Sequence, residues 1–235
     1  ITSTTICFGG TTSLTASATG GNAGTYSYVW SPAGTGSTAT VIVSPIGTTT
    51  YTVNASDVNG CPAAPVTVTV TVNPPLAVVA SGTASLCPGA SASISALGSF
   101  GNGGPYTYTW APAGTGSGSP VSVSPATTTT YTVTASDGCS PTATSTVTIT
   151  VLPLPVIAIS SNLTSGCVPL CVTLVNNSTV AGGGIATWMW NYGDGSAPDT
   201  AHYHCYNTPG SYDVTLTATS TLGGCSSTST VVGYI

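Results

Sequence analysis

Asp194, Asp199, His202 and His204 are the one cluster of ionisable side chains in this sequence, with Asp213 a little beyond. Carboxylates and imidazoles that close together are the raw material of a metal site or of acid–base catalysis. Calcium, the cation that suits aspartate best, takes about six to eight oxygens, several of them from carboxylates. Asp194 and Asp199 could supply only part of such a shell, so calcium there is the weaker alternative and the expectation is no metal and no cofactor. Asp194 stands between two glycines, where a short carboxylate supports a tight turn by bonding nearby backbone. Other chemistry has fewer candidates still. The chain holds no glutamate, so a glycosidase pair would have to be two aspartates. No Gly-x-Ser-x-Gly elbow follows a strand and opens a helix, and Gly116-Ser-Gly-Ser119 reads as loop. No catalytic residue is expected, and the chain is not expected to be an enzyme.

Absence is as informative as presence. Among 235 residues there is no lysine or arginine, and the aspartates (Asp57, Asp137, Asp194, Asp199, Asp213) leave a formal net charge of −5. Phosphate neutralisation is therefore unavailable, which excludes nucleic-acid binding by charge, a P-loop lysine or an arginine finger, and attraction to an anionic membrane. No apolar run approaches the ~20 residues of a membrane helix, so direct membrane insertion is not expected. Eight cysteines, an even number, point instead to disulfides and an oxidising compartment. Cys167 and Cys171 are the only close pair and have no second pair at a matching distance, so zinc spacing is missing.

The elements that must position these residues come from a repeat. Cys7, Cys87 and Cys167 lie 80 residues apart, as do Trp30, Trp110 and Trp190. Tyr26-Ser-Tyr-Val-Trp-Ser-Pro-Ala-Gly-Thr-Gly36 returns as Tyr106-Thr-Tyr-Thr-Trp-Ala-Pro-Ala-Gly-Thr-Gly116. Within each unit apolar residues alternate with threonine, as in Val66-Thr-Val-Thr-Val-Thr-Val72, which predicts strands with one buried face and one hydroxyl face. Short strands between Gly, Pro and Asn turns, about 80 residues to a unit, predict an all-β chain of three tandem Ig-like β-sandwich domains in an elongated array. The boundaries are placed at 1–74, 75–154 and 155–235. Trp30, Trp110 and Trp190 are expected to fill the inter-sheet cores, with Tyr51 and Tyr131 at strand openings beside them. Asn73-Pro-Pro75 and Leu152-Pro-Leu-Pro155 read as stiff linkers, giving a rod on the order of 100 Å if each sandwich spans about 35 Å.

Cys7 precedes an early strand and Cys61 follows the strand that opens at Tyr51, so both belong at one end of a sandwich. The expected bridges are Cys7–Cys61, Cys87–Cys139 and Cys167–Cys225, with Cys171–Cys205 as an extra tie in the third unit. Each of the first two would close a loop of some 50 residues, worth roughly 4 kcal/mol by the chain-entropy model. The first unit also lacks the opening strand that Pro75-Leu-Ala-Val-Val-Ala80 and Pro155-Val-Ile-Ala-Ile-Ser160 supply to the others, since Ile1 aligns with Ser81 and Ser161. That leaves an edge open, either because the chain is a piece of a longer array, the favoured reading, or because a neighbouring subunit donates the strand.

The third unit resembles a known family. Trp188-Met-Trp-Asn-Tyr-Gly-Asp-Gly-Ser196, His204-Cys-Tyr206, Pro209-Gly210 and Tyr212-Asp-Val-Thr-Leu216 resemble the PKD domain, with its Gly-Asp-Gly turn and later His-x-Tyr stretch. The first two units are similar to the Cys-x-Gly…Trp-Ser-Pro-Ala-Gly…Thr-Thr-Tyr-Thr-Val repeats of Bacteroidota-type secreted adhesins. This resemblance implies an extracellular protein of a bacterial cell surface, a role for His204 in strand packing, and no catalytic residue. It also resembles, at Asp199-Thr200-Ala201, the O-glycosylation acceptor of such proteins. The function it implies is a structural or adhesive stalk, adhesin or filament that pairs with copies of itself. The alternative is a carbohydrate-binding accessory module of a larger secreted enzyme. For surface glycans the candidate contact is Trp188, expected on the face opposite Trp190 and so outward.

Overall fold

The computed structural model describes residues 2–21 and 24–235; Ile1 lies outside them. Strands account for the regular structure, and none of the described residues is helical. In the first repeat these are β1 (Thr4–Ile6), β2 (Thr12–Thr15), β3 (Ser27–Ser31), β4 (Thr40–Val43), β5 (Thr49–Ser56) and β6 (Val66–Val72). They form one sheet in the order β1-β6-β5-β3 and a second that pairs β2 with β4. The alternation in sequence explains the packing: Val68 and Val70 of β6 are buried while Val66, Thr67 and Thr71 are exposed. Ile6, Leu14, Trp30, Val41, Val43, Tyr51, Val53, Val68 and Val70 make a single core.

The second repeat copies this plan with β7 (Ala77–Ser81), β8 (Ala84–Leu86), β9 (Ala92–Ser99), β10 (Thr107–Ala111), β11 (Val121–Val123), β12 (Thr129–Ser136) and β13 (Ala143–Val151). Its sheets run β10-β12-β13-β8 and β11-β9-β7. Here β7 flanks β9, whereas β2, the counterpart of β9, pairs only with β4 among the described residues. In the third repeat, β14 (Ile159–Ser161), β15 (Leu170–Asn176) and β17 (Tyr203–Tyr206) form one sheet. The other holds β16 (Ile185–Asn191), β18 (Val214–Ser220) and β19 (Ser226–Val231).

Register is conserved across the copies. Trp30 lies opposite Val53, Trp110 opposite Val133 and Trp190 opposite Leu216. All three tryptophans are buried, with Tyr51 and Tyr131. The Trp30 indole N–H donates to the Thr38 carbonyl and that of Trp110 to Gly118, each at 2.9 Å. Trp190, in the diverged copy, has no such partner. On the opposite faces the hydroxyls pair across strands: Thr50 with Thr69, Thr130 with Thr148, Thr215 with Thr230, and Thr217 with Thr228, at 2.7–3.1 Å. Such cross-strand pairs take the place that ion pairs hold in most sheets.

Packing divides the chain into two compact units that do not follow the repeat boundaries. One comprises residues 1–81, 94–121 and 131–147; the other comprises 82–93, 122–130 and 148–235. The middle repeat contributes to both. No helix among the described residues is long and apolar enough to cross a membrane.

Candidate functional site

The turn after β16 brings the ionisable cluster together. Gly193 holds φ +80, a backbone state side chains avoid, and a Cβ there would collide with the Asp213 carbonyl oxygen. This places Asp194 beside β17. Its Oδ2 meets His204 Nε2 at 2.8 Å, and its Oδ1 accepts from the Ser196 backbone N–H at 3.1 Å and the Ser196 hydroxyl at 2.6 Å. Burial opposes ionisation of this carboxyl, yet Ser196 and His204 outweigh it and hold the group down to about 2. The His204 ring stacks on Tyr192, centroids 3.8 Å apart, and meets Tyr206 edge-on at 4.9 Å. Tyr206 stacks in turn on Tyr212. Its hydroxyl donates to the Tyr192 carbonyl, and burial above all pushes it up to about 12.

Asp199 is committed elsewhere. Its Oδ1 accepts from the Tyr192 hydroxyl at 2.5 Å and the Ala201 N–H at 2.8 Å. His202 faces the Leu174 carbonyl at 3.2 Å and the Trp188 ring. The two carboxylates that a calcium ion would need are thus turned to separate protein partners, and among the described residues no three of His, Cys, Asp or Glu gather as metal ligands. The arrangement ties the Gly-Asp-Gly turn to β17. Thr200 lies exposed in the bend that follows.

Trp188 requires a correction. It is half-buried and packs against the same core as Trp190, not on the opposite face. Residues two apart in a strand share a face, so the pair Trp188/Trp190 could not alternate. The residue that does turn outward is Met189.

The cysteines need a larger one. Cys171 and Cys205 are joined, directly opposite one another on β15 and β17. The other expected pairs do not form. Cys7 is joined to Cys139 and Cys87 to Cys225, with Cα atoms 5.6 and 5.4 Å apart, while Cys61 and Cys167 are exposed free thiols. The period sorts cysteines into an early class (7, 87, 167) and a late class (61, 139, 225). It is silent on whether a late cysteine turns to its own repeat or to the one before. Both observed bridges follow one rule: the early cysteine of a repeat binds the late cysteine of the next. Each of these bridges lies within one compact unit.

Asp137 prepares its cysteine for this. It accepts from the backbone N–H groups of Asn102 at 2.6 Å, Ser140 at 2.7 Å and Cys139 at 3.0 Å. Burial raises its carboxyl, but these donors win and hold it down to about 2. An unfolded aspartate titrates near 3.9. The stability that Asp137 and Asp194 confer is therefore fully present above about pH 4 and is lost as pH falls through about 2. Thermal melts should show a midpoint that is level from neutral pH to about 5 and declines between about 4 and 2, with a shallower decline in Asp137→Asn. An acid limb unchanged by that substitution would remove Asp137 from the account.

These sheets, cores and inter-repeat bridges define tandem Ig-like β-sandwich modules. Within that class, residues 153–233 match the PKD domain family. Among solved structures the chain is similar to the N-terminal eight Ig domains of Down Syndrome Cell Adhesion Molecule isoform 1.30.30. Identity is 14% and the TM-score 0.43, over 97% of this chain and 34% of that one, so the chain spans about a third of its length. It is also similar to the three-Ig titin fragment I67–I69, an E-to-A variant, at 14% identity and TM-score 0.46, over 98% of this chain and 94% of the other. No curated protein sequence matches the chain.

Proposed function

We propose that the chain is a non-enzymatic structural and adhesive element of an extracellular stalk, adhesin or filament on a bacterial surface, associating with copies of itself through uncharged faces. The observation that carries this reading is the surface of the sheets. Threonine ladders line them in all three repeats, and no lysine or arginine stands among them to set up repulsion or steering. On β7 and β9 the exposed partners Val79 and Leu97 lie directly opposite each other, an apolar patch on a strand pair otherwise faced with small residues. Disulfides support an oxidising exterior. The carbohydrate-binding alternative is less favoured, because Trp188, its candidate contact, is half-buried against the core of its own repeat.

Contacts of this kind should be almost indifferent to salt. Sedimentation and electron microscopy are expected to show the same assemblies between about 0.01 and 1 M salt, where the screening length falls from ~30 to ~3 Å. Leu97→Asp should weaken them. A wild-type chain that stays monomeric at high concentration, with no filaments on the grid, overturns the reading.

A further inference from the structure

The pairing rule leaves two cysteines over, and they are complementary. Cys167 is the early cysteine of the third repeat and by the rule takes the late cysteine of a following repeat. Cys61 is the late cysteine of the first repeat and takes the early cysteine of a preceding one. Both thiols are exposed and free.

The turn that carries Cys61 is built like those already in bridges. Each late cysteine follows a glycine with positive φ: Gly60 at 81°, Gly138 at 73° and Gly224 at 69°. Asp57 accepts from the N–H groups of Asn59 and Cys61, both at 2.9 Å, as Asp137 does at Cys139. In length the Cys61 turn matches the Cys225 turn, since each cysteine stands five positions after the serine that ends the preceding strand, Ser56 or Ser220. Each turn is closed by a backbone bond to the cysteine carbonyl, from Asp57 at 3.1 Å and from Ser220 at 2.8 Å. The tip of one carries Leu222; the tip of the other carries Val58, which is 65% exposed.

The receiving side differs from its counterparts. Where Ile6 and Leu86 precede the early cysteine in the first two repeats, the third has Gly166, against which Leu170 packs, 2.8 Å from where a Cβ would stand. Beside it lies a cavity of about 410 Å³ lined by Cys167, Val168, Leu170, Tyr206, Tyr212 and Ile235. At Cys87 the incoming turn brings the Gly223 carbonyl to 4.0 Å from the sulfur; Cys167 is exposed at the rim of the cavity, within reach of a turn from outside its own copy.

We propose that Cys167 of one copy and Cys61 of a second copy form a third bridge of the same kind, joining copies head to tail into a covalent filament. The reaction is a two-electron oxidation of two thiols by a low-molecular-weight disulfide. One cysteine thiolate attacks the small disulfide and releases one small thiol; the other attacks the mixed disulfide and releases the second. One S–S bond is made between copies, one is broken in the oxidant, and both cysteine protons end on the two small thiols.

The inference rests on the self-association reading, and the test separates them. The non-reduced protein is incubated with oxidised glutathione and run without reductant. Wild type is expected to give a ladder of whole-number multiples of the monomer that reductant collapses. Chymotrypsin, used because trypsin has no site in a chain without Lys or Arg, should release a Cys61–Cys167 crosslinked peptide. Cys61→Ser and Cys167→Ser should each abolish the ladder alone, and their equimolar mixture should stop at a dimer. Chains that remain monomeric or only glutathionylated, or crosslinks of Cys61 to Cys61 or Cys167 to Cys167, overturn the bridge. Filaments without a ladder defeat the bridge and leave association through the sheet faces standing; a ladder whose assemblies all dissolve with reductant upholds the bridge and defeats association through the faces.

Discussion

Substituting both Cys87→Ser and Cys225→Ser is expected to cost about 4–5 kcal/mol of stability. The bridge closes a loop with a sequence separation of 138, and in the chain-entropy model a loop of that order restrains the unfolded ensemble by about 5 kcal/mol. Its removal should lower the urea midpoint of the transition that involves the third repeat. Changing Cys61 or Cys167 in the same way, both exposed and unbridged, should leave the midpoint within about 0.5 kcal/mol of wild type. That contrast is the discriminating result. If Cys61→Ser proved as damaging as the double change, Cys61 would be bridged within its own repeat after all.

The second large effect is Trp190→Ala. Trp190 is fully buried among Val172, Leu174, Tyr192, Tyr206, Val214 and Leu216. Truncation removes its contacts and leaves a cavity, for which about 3–5 kcal/mol is typical. Trp190→Phe should lose much less, because its indole N–H is buried without a partner and leaving such a donor unmet already costs roughly 1–3 kcal/mol. Trp30→Phe should fare worse by comparison, since it discards the bond to Thr38. Near-UV circular dichroism during urea titration of the three variants checks the order; equal losses for the Trp30 and Trp190 phenylalanine variants would contradict it.

How much of this could be read from the sequence differs by level. The strands were legible because valine and threonine alternate at period two around Val68, Val147 and Leu216, and the triple Cys/Trp spacing fixed the copy number. The aromatic cores followed from the same register. Bridge partners were not legible, since an even spacing assigns each cysteine a class and an end of a sandwich but says nothing of the neighbouring repeat. The signal that could have helped was Asp57 and Asp137, each two to four residues before a late cysteine, which marks those turns as rigid projections. Trp188 was misplaced by a plain geometric slip, because strand neighbours at i and i+2 share a side. In the ionisable cluster the residues were identifiable, but their mutual satisfaction was not. That Asp194 turns to His204 and Asp199 to Tyr192 depends on how the connection between β16 and β17 folds back on itself, over ten and seven residues that no strand periodicity marks.

The two inter-repeat bridges overlap along the chain, with separations of 132 and 138, and this sets how far the protein can be drawn out. Between Cys7 and Cys225 run roughly 220 residues, which as a bare thread would reach on the order of 750 Å at ~3.3–3.6 Å per residue. With both bridges closed, the shortest covalent route goes from Cys7 across to Cys139, back along the backbone to Cys87, and across to Cys225. That path holds only the stretch between Cys87 and Cys139, about 52 residues and on the order of 180 Å. Pulled from Cys7 and Cys225, the chain yields about a quarter of its contour length even after every sheet has torn, and the pull is carried by the backbone between Cys87 and Cys139 while the two longer routes stay slack. A protein of this topology is a short leash, and reductant is what lengthens it.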